Sequence, residues 1–274
     1  MSYISTNNKR IAKNTLYLYL RMGLVLVVSL FTTRVVLQAL GVEDYGINNV
    51  VSGFVTMFAF LNTSMSNGVQ RFYNFSLGKK NEYSITDVYN TALQIQGILS
   101  VILLLLLETF GLWYIHAQMV IPDERFFAAL WVFHFSVFSL VLLVLQIPYS
   151  AAIMAYERMD YYAYLSIFDV LAKLGIAYAV KYATTDKLIL YGALNLLVSF
   201  ICFFLYYGYA KRQFHELKTD FKIRRRLFES MLSFSGWNVF GSFAYMVKGQ
   251  GLNMLLNVFF GPIVNAARGI SAMV

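Results

Sequence analysis

Apolar residues run along this chain in long stretches separated by short polar breaks. The pattern predicts helices near 15–40, 45–76, 87–115, 126–155, 162–182, 187–209 and 229–259, with an eighth starting at Ile263. A helix needs about 20 residues, rising 1.5 Å each, to cross the hydrocarbon of a bilayer. Each complete stretch is long enough, and the second, at about 30 residues, must tilt or project beyond the hydrocarbon. Helices in a soluble core neither run so long nor recur so evenly. The predicted fold is all-α, a polytopic bundle of transmembrane helices.

Composition strengthens this picture: 59% of the 274 residues are hydrophobic and 13% charged, against about 45–50% and roughly 25% in soluble domains. No small-residue cleavage site follows the first stretch, so it is expected to stay as a spanning helix. Cys202 is the sole cysteine and lies in an apolar stretch, which excludes an internal disulfide and a cysteine metal site. The net charge of +8 does not point to nucleic acid, because such a partner needs a solvated basic face.

The basic residues are instead distributed by loop. One set of alternate connections carries Lys9, Arg10, Lys13, Lys79, Lys80, Arg158, Lys211, Arg212, Lys218, Lys222, Arg224, Arg225 and Arg226; the other carries Arg125, Lys181 and Lys187. By the positive-inside rule the N-terminus and the 210–227 loop are cytoplasmic. The organisation expected is a six-helix lobe over 1–210, a basic linker over 211–227, and the start of a second lobe over 228–274. Gly41 and Gly261 both fall between successive long helices, a weak sign of an internal repeat. The last stretch is too short to cross a bilayer, so the chain reads as an N-terminal piece of a longer protein.

Polar residues inside the spans carry the candidate chemistry. On a helical wheel the second span gathers Asn48, Asn49, Ser52, Thr56, Thr63, Ser66, Asn67 and Gln70 within an arc of about 100°, with Asn62 and Ser64 off that stripe. The seventh span gathers Ser235, Asn238, Ser242, Tyr245, Gly249, Asn253 and Asn257 within about 120°. Two such faces are expected to line one watery cavity; interhelical packing is the plainer reading. Arg21, Arg34, Arg71, Lys173, Lys248 and Arg268 outnumber the acids within or at the edges of the spans, Asp87, Glu108, Asp169 and Glu229, and each cation costs about 2.5–3.5 kcal/mol at the midplane. Asp87 and Glu229 suit helix N-termini. Asp169 and Lys173 are spaced for an intrahelical ion pair. Arg21 shares its face with Asn14, Ser29 and Thr32, which favours a cavity, although snorkelling to the rim would also account for it. Arg71 suits an interfacial position. His134, inside the fourth span, reads as a packed polar residue without partner groups. Glu43 and Asp44 read as solvated loop charges.

The stretches LGVEDYG at 40–46, NGVQRFY at 67–73 followed by LGKKNE, IPYSAAIMAYERMDYYAYLSIFDVLAKL at 147–174, and GPIVNAARGISAMV at 261–274 resemble the polysaccharide-export (Wzx-like) branch of the MOP flippase superfamily, which also contains the lipid II flippase and the MATE exporters. The resemblance implies two six-helix lobes and alternating access. It also implies transfer of an undecaprenyl-pyrophosphate-linked oligosaccharide across the bacterial cytoplasmic membrane, with membrane lipids and polysaccharide polymerase machinery as neighbours. Carried over by position, Arg21, Arg71, Lys248 and Arg268 would be the cavity cations, joined by Asn48, Ser52, Thr56, Asn67, Asn238 and Asn253. No cofactor, metal or enzyme activity is expected. The alternatives are a MATE-type exporter of drugs or cations, which would need cavity acids, and a polyprenyl-linked glycosyltransferase using Glu43 and Asp44, for which the loop is too short.

Overall fold

The computed structural model describes residues 2–78, 82–117, 119, 121–220, 222 and 224–245. Among these there are helices and no strand: α1 (Ser2–Thr56), α2 (Ala59–Leu77), α3 (Ile85–Leu106), a π turn (Leu107–Gly111), α4 (Leu112–Ala117), α5 (Asp123–Leu145), α6 (Ile147–Ala155), α7 (Met159–Lys181), α8 (Lys187–Gln213) and α9 (225–245). Five helical units are long and apolar enough to cross a membrane. The described part of the seventh predicted stretch, α9, is not among them, and its remainder and the eighth stretch lie outside the described residues.

The first unit, Arg10–Leu77, has 68 residues and would be about 100 Å long if straight. It reverses at Gly41, whose φ of 82° and ψ of 172° lie in a region essentially closed to side-chain-bearing residues. Leu77 consequently lines the same pocket as Arg10, Lys13 and Tyr17. The arm before Gly41 packs Val35, Val36, Ala39 and Leu40 against Ile176, Ala177 and Val180 of α7 and Val198 and Cys202 of α8. The arm after it packs Ile47, Val51 and Val55 against Leu107, Ile115 and the start of α5. Two predicted spans are thus present in this one unit.

Three spans are interrupted where an unbroken helix is expected. The second stretch, 45–76, breaks at Met57 and Phe58, between α1 and α2. In the fourth, α5 and α6 meet at Gln146; Pro148 occupies the first turn of α6, where its missing N–H costs nothing. In the third, Leu103, Leu107, Gly111 and Ile115 are all buried, a spacing of four per turn that drifts ahead of the helical 3.6. Over three turns the drift amounts to about one residue, which the π turn absorbs. The hydroxyl of Thr109 donates to the carbonyls of Leu105 and Leu106, at 2.6 and 3.2 Å.

Charged residues tie the bundle at both ends. Arg125, at the start of α5, donates to both carboxylate oxygens of Asp44 and, at 2.7 Å, to Asp186, whose other oxygen caps α8 by accepting from Leu188 and Ile189. Asp44 is therefore not the solvated loop charge expected. At the opposite end Arg10 pairs with Glu157 at 3.0 Å. There the segment after α8 lies along the start of α3: Thr86 donates to the Glu216 carbonyl, Asn90 to that of Lys218, and Arg224 pairs with Asp87 at 2.9 Å. Asp87 also forms a capping box with Ser84, and Glu229 sits in the first turns of α9, bonded to Arg225. Tyr156, between α6 and α7, donates to Glu216; burial, and then that carboxylate, push its phenol above the usual range, so it remains a donor at neutral pH.

Candidate functional site

A cavity of about 550 Å³ lies between both arms of α1 and the helices α5, α7 and α8, within the size range of small-ligand sites. Arg21, Asn48, Ser52 and Thr56, singled out in the sequence, line it, but no residue of α9 does. Arg21 is half-buried; its guanidinium lies 4.8 Å from the Tyr162 ring centroid and reaches Ser166 Oγ at a long 3.5 Å. Its Nε is buried without a partner. These contacts direct Arg21 towards the first turns of α7.

Asp169 and Lys173 also line the cavity and form the predicted ion pair, at 2.8 Å. The lining thus carries two cations and one acid, and that acid is already paired. Ser52, Ser166 and Ser199 donate to carbonyls one turn back in their own helices. Their oxygens then face the cavity as acceptors, a property that suits a ligand rich in hydroxyl donors. Thr56, though exposed on one side, is tied in the same way to Gly53.

The sequence reading overlooked much of this lining. Ser136, Ser139 and Gln146 come from α5 and its junction with α6, and Tyr191, Asn195, Ser199, Cys202 and Tyr206 come from α8. The signal was present: the α8 residues succeed one another at steps of four, four, three and four, one helical face.

The remaining candidates are elsewhere. Asn67 is exposed, and Arg71 is exposed with its guanidinium 4.0 Å from the ring centroid of Phe234 and 5.2 Å from that of Phe75; neither lines the cavity. The break after Thr56 divides the polar stripe, and only its first part lines the cavity. The α2 and α9 faces are in contact where they are described. They touch through Ser64, which donates to Ser242 at 2.7 Å, and through Gly68, where an added Cβ would fall 2.3 Å from Ser235 Oγ. Ser64 is a residue the helical wheel placed off the stripe. Asn238 is half-buried with its amide nitrogen unpartnered. Lys248, Asn253 and Arg268 lie outside the described residues.

His134 is not partnerless. Its Nδ1 lies 3.0 Å from Glu108, in the π turn of the third span, and the pair does not line the cavity. No family model, curated protein or solved structure matches this chain.

Proposed function

We propose that this chain is part of a flippase that moves a polyprenyl-pyrophosphate-linked oligosaccharide across the bacterial cytoplasmic membrane. The observation that carries this reading is the cavity itself, a space whose largely apolar walls carry several hydroxyl groups and a net positive charge inside a bundle of membrane-length helices. Arg21 lines it with a half-buried guanidinium that makes no ion pair in the described structure, and a guanidinium grips phosphate through paired, charge-assisted hydrogen bonds. Acceptor oxygens on Ser52, Ser166 and Ser199 suit sugar hydroxyls. In this reading 1–210 form the first lobe of a MOP-type transporter, 211–227 the linker and 228–274 the start of the second lobe.

The competing functions fit less well. A cation exporter would need an available carboxylate, and the acid of this cavity is held by Lys173. A glycosyltransferase base at Asp44 would first have to leave Arg125.

Deletion of the gene is expected to leave lipid-linked saccharide fully assembled but confined to the cytoplasmic leaflet, out of reach of enzymes added outside. Loss of its synthesis would favour the glycosyltransferase instead. The topology has its own test in a chain whose Cys202 is replaced by serine. An impermeant maleimide added to whole cells is expected to modify Glu43→Cys and spare Lys218→Cys, both at exposed positions. The reverse pattern would overturn the N-in assignment.

A further inference from the structure

Besides Asp169 and Lys173, ionisable groups meet among the described residues at Glu108 and His134, and the cavity does not account for them. They come from different spans, with side chains 26% and 34% exposed. Ionisable side chains at membrane depth are rare and mark ion or proton sites more often than packing contacts. Arg125, nine residues before His134 on α5, marks one rim of the bundle; the pair lies about 14 Å below it along the helix. The loop charges place that rim outside the cell.

The local structure is arranged around the pair. Glu108 sits in the π turn, a feature common at functional sites. In the same turn, beside Thr109, Gly111 lets the third span approach α5 closely: a Cβ at Gly111 would fall 2.5 Å from Phe133 Cζ. Trp131 and Phe133 flank the imidazole edge-on, so its principal polar partner is the carboxylate.

The neighbouring ionisable groups are engaged elsewhere or lie nearer the rim. On the third span Tyr114 stacks on Phe54, and His116 donates to the Leu112 carbonyl and meets Phe126. On α5, Asp123 and Glu124 belong to the exposed first turn and Arg125 is held by Asp44 and Asp186. The packed arm of α1 contributes apolar Val51, Phe54 and Val55. From α8, Lys187 and Tyr191 are the nearest ionisable groups in sequence to Gly192, which packs on Phe135 and Val132. Among the described residues no ion pair or hydrogen bond joins any of these to Glu108 or His134.

We propose that Glu108 and His134 form a proton-binding site on the Arg125 side of the bundle, separate from the cavity. With Nδ1–H donating to the Glu108 carboxylate, the imidazole Nε2 takes one proton from external water. The pair passes from a net charge of −1 to a neutral ion pair, and no bond other than the new N–H is made or broken. Val132, Phe135 and Ser136 of the same helix line the cavity and His134 does not, so α5 carries both sites on different faces. The site stands independently of what that space carries.

Its test is the ¹⁵N spectrum of histidine-labelled full chain in liposomes. The three histidines give separate signals, and His134→Gln identifies the one at issue. That signal is expected to take up one proton at Nε2 as the external pH is lowered from about 9 to about 5, with Nδ1 protonated throughout. Glu108→Gln removes the anionic partner of the imidazole and is expected to weaken proton binding. A His134 signal that does not respond to external pH, or that titrates equally well in Glu108→Gln, would overturn the proposal. Should Glu108→Gln fail to fold, the parent spectrum decides alone: an Nε2 that stays in one state across the range excludes the site. None of these readings requires transport, so failure of the flippase assignment would leave them intact.

Discussion

Arg21→Ala is expected to lose most saccharide export, roughly ten- to hundredfold, with normal amounts of protein in the membrane. The magnitude follows from the charge-assisted hydrogen bonds that a guanidinium gives to phosphate, about 1.5–3 kcal/mol. Arg21→Lys keeps the charge but offers a single point donor in place of a planar fork, and is expected to retain part of the activity. Arg21→Glu places an anion beside Asp169, across a cavity that would then hold two acids and one cation, and is expected to abolish transport. Insertion should survive in all three, because Arg21 makes no ion pair in the described structure and its hydrogen bond to Ser166 is long. Export by the alanine and glutamate variants at the parent rate would remove Arg21 from the mechanism and direct the search to Lys248 and Arg268. The membrane potential supplies a consistent direction. Moving a divalent anion outward is favoured by about 4–5 kcal/mol per 100 mV, inside negative, so the cavity has only to lower the barrier.

The second large effect concerns the contact between α2 and α9. Gly68→Ala is expected to lower the thermal stability of the detergent-solubilised chain, because its Cβ would overlap Ser235 Oγ; forced overpacking of this kind costs about 1–3 kcal/mol. Ser235→Ala in the same chain removes that oxygen and leaves the Ser235 Cβ position, 3.4 Å from the new methyl. The double variant is expected to recover most of the loss. Strictly additive effects would mean that the two residues do not touch. The outcome bears directly on architecture, since Gly68 and Ser235 join the second of the first six spans to α9, beyond the basic linker.

The same glycine shows how the sequence and the structure divide the information. NGVQRFY at 67–73 marks the end of an apolar stretch and lies within the family resemblance, but nothing in it says that Gly68 faces Ser235. Ser64 is clearer still: the wheel excluded it from the polar face, yet it makes the hydrogen bond to Ser242. A wheel assumes one uninterrupted helix, and the break at Met57 and Phe58 rotates everything after it. For the same reason Asn48, Ser52 and Thr56 line the cavity while Asn67 does not.

The chain's local features were legible in its sequence. Membrane-length helices follow from the length of the apolar stretches, the reversal at Gly41 from a glycine between two of them, and the position of Asp87 from an acid at a helix start. The Asp169–Lys173 pair follows from a spacing of four. Each depends on residues within a turn or two of one another, so each is written in the sequence. The cavity shared by Arg21, Ser136 and Asn195, the clasp of Arg125 on Asp44 and Asp186, and the meeting of Glu108 with His134 depend on how separate helices are rotated and how closely they approach. Those choices are set by packing across the whole bundle, where a single π turn or glycine contact changes which side chain faces which, and only the tertiary structure decided them.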